Sequence, residues 1–74
     1  MVTIEDILRI VEESDLPVDA SKLEAGAPLI SQGFDSLDMA TLMLAVESRY
    51  KKAIPPEQAA RLRTLKNIVD FLNA

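Results

Sequence analysis

Apolar residues recur at helical spacing in several stretches of this sequence, and nowhere do they alternate with polar residues as in a half-buried strand. The clearest stripe is near the start, where Ile4, Ile7 and Val11 share one face and Glu5 and Arg9 lie on the polar side. A chain of 74 residues has room for one modest core. We therefore predict an all-α fold, a small four-helix bundle of three longer helices and one short helix, with a long first loop, in a single domain over residues 1–74.

Capping residues set the predicted ends of these helices. Thr3 is a suitable N-cap for the first helix, and Asp6 completes a weaker form of the capping box. Asp35 and Thr64 are placed to cap the second and the last helix, and Pro56 suits the first position of the short helix between them. The predicted helices are residues 4–14, 36–51, 56–62 and 65–72.

The connection between the first two helices is unusually long for a chain of this size. It contains five apolar residues, which we expect to pack over the bundle, with a short turn around residues 19–23. The alternative is a disordered linker, but solvated linkers are poor in apolar residues. The five predicted anchors are Leu16, Val18, Leu23, Leu29 and Ile30.

The second helix has two apolar faces. One face carries Met39, Leu42, Met43, Val46 and Tyr50. So short a chain cannot cover both faces, and an exposed apolar stripe suggests a surface for a partner. The alternative is that the long loop covers the leucines of the second face. That second face, our predicted partner face, consists of Leu37, Ala40, Thr41, Leu44, Glu47 and Ser48.

Composition excludes several classes of function. The chain has no cysteine and no histidine, so it lacks the usual nucleophile, general base and metal ligands. We therefore predict no enzyme activity, no catalytic residues and no metal site. The net charge is −4 and no basic patch stands out, which disfavours nucleic acid as a partner.

The acidic residues are concentrated in the first third of the chain. Residues 1–28 carry seven acidic and two basic side chains, for a charge of −5, whereas residues 29–74 carry five acidic and six basic ones, for +1. No basic-then-apolar leader opens the sequence and no apolar run approaches the length of a membrane span. We expect a cytoplasmic protein, or the mature form of an organelle protein.

A short motif, Gly33-Phe34-Asp35-Ser36-Leu37-Asp38, marks the junction between the long loop and the second helix. Taken alone, Asp-Ser before an apolar helix is most often a cap. Here a glycine precedes it, Ile54-Pro55 follows the second helix, and the last helix ends in Asp70-Phe71-Leu72-Asn73. With these spacings the chain resembles the acyl carrier protein family from Ile4 to Asn73.

The resemblance implies that Ser36 is the attachment point of a 4'-phosphopantetheine arm, with Asp35, Leu37 and Asp38 as the flanking motif. A separate phosphopantetheinyl transferase (a holo-ACP synthase) transfers the group from coenzyme A, using a metal ion. The terminal thiol of the arm then carries acyl groups as thioesters, which agrees with a chain that has no cysteine. Further implied partners are enzymes that load, elongate or transfer the acyl group, and the expected state is a monomer.

In this family short or medium acyl chains can also fold back into the bundle. The candidates for such a lining are Leu42, Val46, Ile54, Ala59, Leu62 and Ile68, with alanine at 45, 59 and 60 leaving room. The alternative for each of these residues is ordinary core packing.

The second helix departs from the family pattern, because fatty-acid carriers usually have a strongly acidic helix there. Arg49, Lys51 and Lys52 offset its acids, and Thr41 stands where an acid is common. We therefore expect a specialised carrier rather than a housekeeping one, with an acyl cargo in lipid or polyketide synthesis favoured over an amino acid. The alternatives are an aminoacyl or peptidyl carrier, a helical interaction domain without an arm and, least favoured, a small enzyme.

Overall fold

A computed structural model describes all residues from Met1 to Ala74. Four α-helices account for most of the ordered backbone, and no strand is present, so the predicted all-α fold is confirmed. Helix α1 packs against both α2 and α4. The helices are α1 (Ile4–Glu13), α2 (Ser36–Tyr50), α3 (Pro56–Ala59) and α4 (Leu65–Asn73), and two 3₁₀ turns (Ala20–Lys22 and Leu29–Gln32) lie in the first loop.

The core lies between the apolar faces of α1, α2 and α4, closed by residues from the loops. No polar or charged side chain is buried in it. Thirteen apolar residues are buried: Ile7, Ile10, Val11, Ala20, Leu29, Phe34, Leu42, Met43, Val46, Ile54, Leu62, Leu65 and Ile68. A core of this kind leaves the helices amphipathic, except α2, which has apolar residues on two sides.

The predicted cap of α1 is present as a reciprocal capping box. The Thr3 N–H donates to Asp6 Oδ2 at 2.9 Å, and the Asp6 N–H donates to Thr3 Oγ1 at 3.3 Å. The bond from the Thr3 N–H holds the pKa of Asp6 below its ordinary value. The predicted cap of α4 is also confirmed, because Thr64 Oγ1 accepts from the Asn67 N–H at 3.0 Å.

Four helix ends differ from the predicted boundaries, and α4 runs one residue further than predicted, to Asn73. Helix α2 stops at Tyr50 because Lys51 adopts a left-handed conformation, with φ of 51°. Helix α1 stops at Glu13, and Ser14 caps it by donating its hydroxyl to Ile10 O at 2.6 Å. The predicted short helix ends early, at Ala59, because the next residues tighten into i to i−3 bonds.

The first loop is tied to the bundle, so the alternative of a disordered linker is wrong. Two backbone hydrogen bonds join the loop to α4 and to the segment just before it. The Leu29 N–H donates to Arg63 O at 2.9 Å, and the Lys66 N–H, in α4, donates to Ala25 O at 3.1 Å. The predicted turn forms as the first 3₁₀ turn, where the Asp19 carboxylate accepts from the Ser21 hydroxyl and N–H and the pKa of Asp19 is lowered.

Four of the five predicted loop anchors pack on the core, and one does not. Leu29 is fully buried, while Leu16, Val18 and Leu23 are partly buried against the core. Ile30, in contrast, is 59% exposed, so its prediction as an anchor is wrong. In a 3₁₀ turn consecutive side chains point about 120° apart, so when Leu29 faces the core its neighbour faces away.

Gln32 holds the loop in shape with its side-chain amide. Oε1 accepts from the Glu24 N–H at 2.7 Å, and Nε2 donates to Glu24 O at 3.1 Å and to Ala27 O at 3.0 Å. These bonds join the segment between the two 3₁₀ turns to the second turn, so the approach to α2 depends on them.

Replacing this amide should loosen the loop without unfolding the helices. We expect Gln32→Ala to lower the free energy of unfolding by about 1–2 kcal/mol, because backbone groups lose partners. Chemical denaturation measures the loss, and faster amide hydrogen exchange in residues 24–32 should accompany it. Gln58→Ala, on α3, is the matched control. Equal losses in the two variants would contradict a special role for Gln32.

Candidate functional site

Ser36 is the first residue of α2, and a second reciprocal capping box fixes the start of that helix. Asp35 Oδ1 accepts from the Asp38 N–H at 2.8 Å, and Asp38 Oδ2 accepts from the Asp35 N–H at 3.1 Å. The two carboxylates therefore satisfy backbone groups on either side of the serine. Ser36 itself is exposed and contributes nothing to the cap, so its hydroxyl is available for chemistry.

The residues before the serine bring the chain to this point. Gly33 ends the second 3₁₀ turn in a left-handed conformation, with φ of 101°. A tight turn just before Asp35 and Ser36 requires this conformation, which glycine adopts readily. Phe34 is buried in the core, and its N–H donates to Leu29 O at 3.2 Å. The position of Ser36 is thus set by an anchored aromatic residue on one side and a capped helix on the other. Sequence reasoning did not assign that anchoring role to Phe34.

The start of α2 is suited to a negatively charged group. The first N–H groups of an α-helix have no partner within the helix, and the helix dipole places partial positive charge there. The Asp38 N–H is used by Asp35, which leaves the N–H groups of Ser36 and Leu37 for an anion on the serine. The donor set therefore fits a phosphodiester on Ser36 Oγ.

An open groove of about 480 Å³ adjoins Ser36. Its surface is mainly apolar, with a few polar groups, and it runs between the second 3₁₀ turn, the start of α2 and the α3 segment. We call this the Ser36 groove, and it is lined by Pro28, Ile30, Ser31, Ser36, Met39, Ala59, Ala60, Leu62 and Arg63. The exposed Ile30 is therefore part of the surface beside the serine.

The residues predicted to line an internal acyl cavity do not come together around one void. Leu42, Val46 and Ile68 are fully buried in the core, which is the alternative of ordinary packing. Ala59 and Leu62 instead line the Ser36 groove. Ala59 also borders a second open groove, which includes Ile54 and runs along α2. The available space is at the surface between α2 and α3, not inside the bundle.

The second apolar face of α2 is exposed, so the alternative that the long loop covers it is wrong. Leu37 is 74% exposed and Leu44 67%, and Ala40, Thr41 and Ser48 are exposed as well. Glu47 differs, because it is half-buried and its carboxylate accepts from the Ile54 N–H at 3.0 Å.

The predicted partner face has one acidic residue, Glu47, and its carboxylate is already hydrogen-bonded within the protein. Thr41 Oγ1 donates back to Leu37 O at 3.1 Å, and Glu47 is engaged with the chain after α2. The single ion pair of the protein, between Arg49 Nη1 and Glu13 Oε1 at 3.0 Å, lies at the far end of α2. No group of acidic residues is arranged to hold a metal ion, and no helix is both long and apolar enough to cross a bilayer.

Comparison with known proteins agrees with this geometry. The family model described as "Phosphopantetheine attachment site" matches residues 4–72. The chain is also 33% identical over 75 residues to an acyl carrier protein of Helicobacter hepaticus (strain ATCC 51449 / 3B1), covering 100% of this chain and 97% of that protein. The fold and these matches define a non-catalytic carrier protein that holds 4'-phosphopantetheine covalently. The chain belongs to the acyl carrier protein family.

Proposed function

We propose that this protein carries acyl groups in fatty acid, lipid or polyketide biosynthesis, on a 4'-phosphopantetheine joined to Ser36. The observation that carries the proposal is the exposed hydroxyl of Ser36, at a rigid helix start whose caps are supplied by its neighbours. The proposal includes a single attachment domain over residues 1–74, a monomer and a cytoplasmic location.

Ser36 acts as the acceptor in the loading reaction. Its Oγ forms a bond to the phosphorus next to the pantetheine of coenzyme A, the pyrophosphate P–O bond breaks, and adenosine 3',5'-bisphosphate leaves. The hydroxyl proton passes to a base of the transferase or to water, and the transferase supplies the metal ion. When bound, the group supplies a terminal thiol that holds acyl groups as thioesters.

The residues around Ser36 have distinct proposed roles. Asp35 and Asp38 keep the first turn of α2 closed, so the serine stays at a fixed place on the surface. The N–H groups of Ser36 and Leu37 stabilise the charge that loading adds. Leu37 is exposed beside the serine, where a partner enzyme reaching Ser36 would cover it.

The predicted partner face extends this contact along α2. Leu37 and Leu44 supply exposed apolar surface, and Ala40, Thr41 and Ser48 add small, uncharged side chains to it. Such a face favours binding by burial of apolar area, with little electrostatic steering. The proposed partners are the phosphopantetheinyl transferase and the enzymes that load, elongate or transfer the acyl group.

Intact-protein mass tests the proposed function. The protein is incubated with coenzyme A, magnesium and a broad-specificity phosphopantetheinyl transferase. A gain of one phosphopantetheine is expected. No gain would favour the alternative of a helical interaction domain that binds through Leu37 and Leu44. Mass analysis of protein isolated from its own cell separates an acyl cargo from an aminoacyl or peptidyl one.

Because the predicted partner face is weakly charged, we predict that enzymes of a general fatty-acid pathway use this carrier inefficiently. In competition for an acyl-elongating enzyme, we expect a lower kcat/KM than for a housekeeping carrier, because a free acid is missing from the middle of the face. Thr41→Glu should raise kcat/KM several-fold, whereas Gln58→Glu, which adds the same charge on α3, should not. Equal kcat/KM for the unmodified protein and the housekeeping carrier would contradict a specialised role.

A further inference from the structure

Hydrogen bonds hold the backbone of Arg63 at the edge of the Ser36 groove. Its N–H donates to Asn67 Oδ1 at 3.3 Å, and its carbonyl accepts from the Leu29 N–H at 2.9 Å, so the backbone is fixed on both sides. The side chain is also restrained, though weakly, because Nε donates to Ala60 O in a long hydrogen bond of 3.4 Å. The guanidinium is therefore partly ordered before any ligand arrives, which reduces the entropy lost when it binds.

The positive charge of Arg63 has no counterpart in the protein. The only ion pair joins Arg49 to Glu13, so no carboxylate lies within 4.0 Å of this guanidinium. The carboxylates on either side of Ser36, those of Asp35 and Asp38, are engaged in their reciprocal cap. Arg63 thus presents two terminal nitrogens, with all their N–H groups free, in the groove that also contains Ser36.

The rest of the Ser36 groove is suited to a mainly neutral chain. Ile30, Met39 and Leu62 give it apolar walls, and Ala59 and Ala60 leave room along α3. Ile30 is exposed and not packed in the core, and its side chain forms one of these walls. A ligand that matches this surface has a single negative charge near Ser36 and an extended, largely neutral remainder.

We propose that Arg63 is a positioning residue for the phosphopantetheine arm, which it draws into the Ser36 groove by pairing with the phosphodiester. The inference rests on the proposed function, since that function puts the phosphodiester on Ser36. A guanidinium is the side chain best matched to phosphate oxygens, because its planar fork can donate two parallel hydrogen bonds. The arm then lies along α3 in the resting state, and the partner face of α2 stays free.

Solution NMR of the apo and loaded proteins tests this inference. Loading is driven to completion and checked by intact mass for the unmodified protein, for Arg63→Gln and for Arg61→Gln. Arg61 is the matched control, because it is an exposed arginine on the same segment that does not line the groove. The readouts are the amide shifts of Ile30, Ala60 and Arg63, the Nε–H resonance of Arg63 and the ³¹P shift of the phosphodiester.

In the unmodified protein, loading should shift the Arg63 Nε–H and the amides of Ile30 and Ala60, and high salt should reduce these shifts. In Arg63→Gln, the shifts should be confined to the first turn of α2 and the ³¹P resonance should move, whereas Arg61→Gln should behave as the unmodified protein does. Arg63→Lys keeps the charge without the fork, so its shifts should be several-fold smaller but present.

Two results would overturn the inference while leaving the proposed function intact. One is complete loading with no change at the Arg63 Nε–H, and the other is a set of groove shifts in Arg63→Gln equal to those of the unmodified protein. Failure of the unmodified protein to gain mass is a different result, because it contradicts the attachment at Ser36 and the inference with it.

Discussion

Ser36→Ala should gain no phosphopantetheine under conditions in which the unmodified protein is loaded completely. The reason is chemical, because the substitution removes the only atom proposed to form the phosphodiester and no other group of the chain replaces it. The fold should survive, because the cap of α2 is made by Asp35 and Asp38, and alanine is the best helix former. The free energy of unfolding should change by no more than about 0.5 kcal/mol, as at most exposed positions.

The matched control for this variant is Ser31→Ala. Ser31 is another exposed serine that lines the Ser36 groove, but it lies in the second 3₁₀ turn and not at a helix start. It should therefore load like the unmodified protein. Loading is read by intact mass, and the fold of both variants by circular dichroism and thermal unfolding. A full gain of mass by Ser36→Ala would contradict the site, whatever its effect on stability.

Much of the fold follows from local signals in the sequence. Thr3, Asp35 and Thr64 are polar residues placed directly before apolar periodic stretches, and each of them caps its helix in the structure. The exposed face of α2 could also be predicted, because a chain of this length has too little other structure to cover Leu37 and Leu44. These features depend on neighbours in the sequence, or on size alone.

The features that could not be predicted depend on long-range contacts or on the exact turn geometry. Ile30 is as apolar as Leu29, and only the second 3₁₀ turn decides which of them faces the core. The early end of α2 depends on the left-handed conformation of Lys51, which the residue type does not indicate. The bonds of Gln32 reach back across the loop, so periodicity carries no signal for them.

The candidate site also has one part that could be predicted from the sequence and one part that could not. The motif around Ser36 is contiguous, so its residues could be named from the sequence, and the structure brings Asp35 and Asp38 together as the cap. Arg63 is far from the motif in sequence and carries no signal of its own. It reaches the Ser36 groove because the segment between α3 and α4 lies against the second 3₁₀ turn, through the bond from Leu29 to its carbonyl.

Leu42 and Leu44 provide the sharpest separation of stability from partner binding, because they lie on the same helix and differ almost completely in exposure. Leu42 is fully buried, whereas Leu44 is 67% exposed. Leu42→Ala should lower the free energy of unfolding by about 2–5 kcal/mol, since it removes core contacts and leaves a cavity. In a domain of this size that loss corresponds to a fall in Tm of roughly 8–40 °C.

Leu44→Ala should have the opposite effect, with little change in stability and weaker binding of partner enzymes. Its effect on the free energy of unfolding should stay within about 0.5 kcal/mol, because little apolar contact is lost within the protein. The KM of the transferase and of the acyl-transferring enzymes should rise, because the exposed leucine supplies apolar area that a partner would bury. Thermal unfolding and loading kinetics measured side by side separate the two effects. A large fall in Tm for Leu44→Ala with unchanged KM would show that this leucine supports the bundle, and the proposed partner face would then have to lie elsewhere.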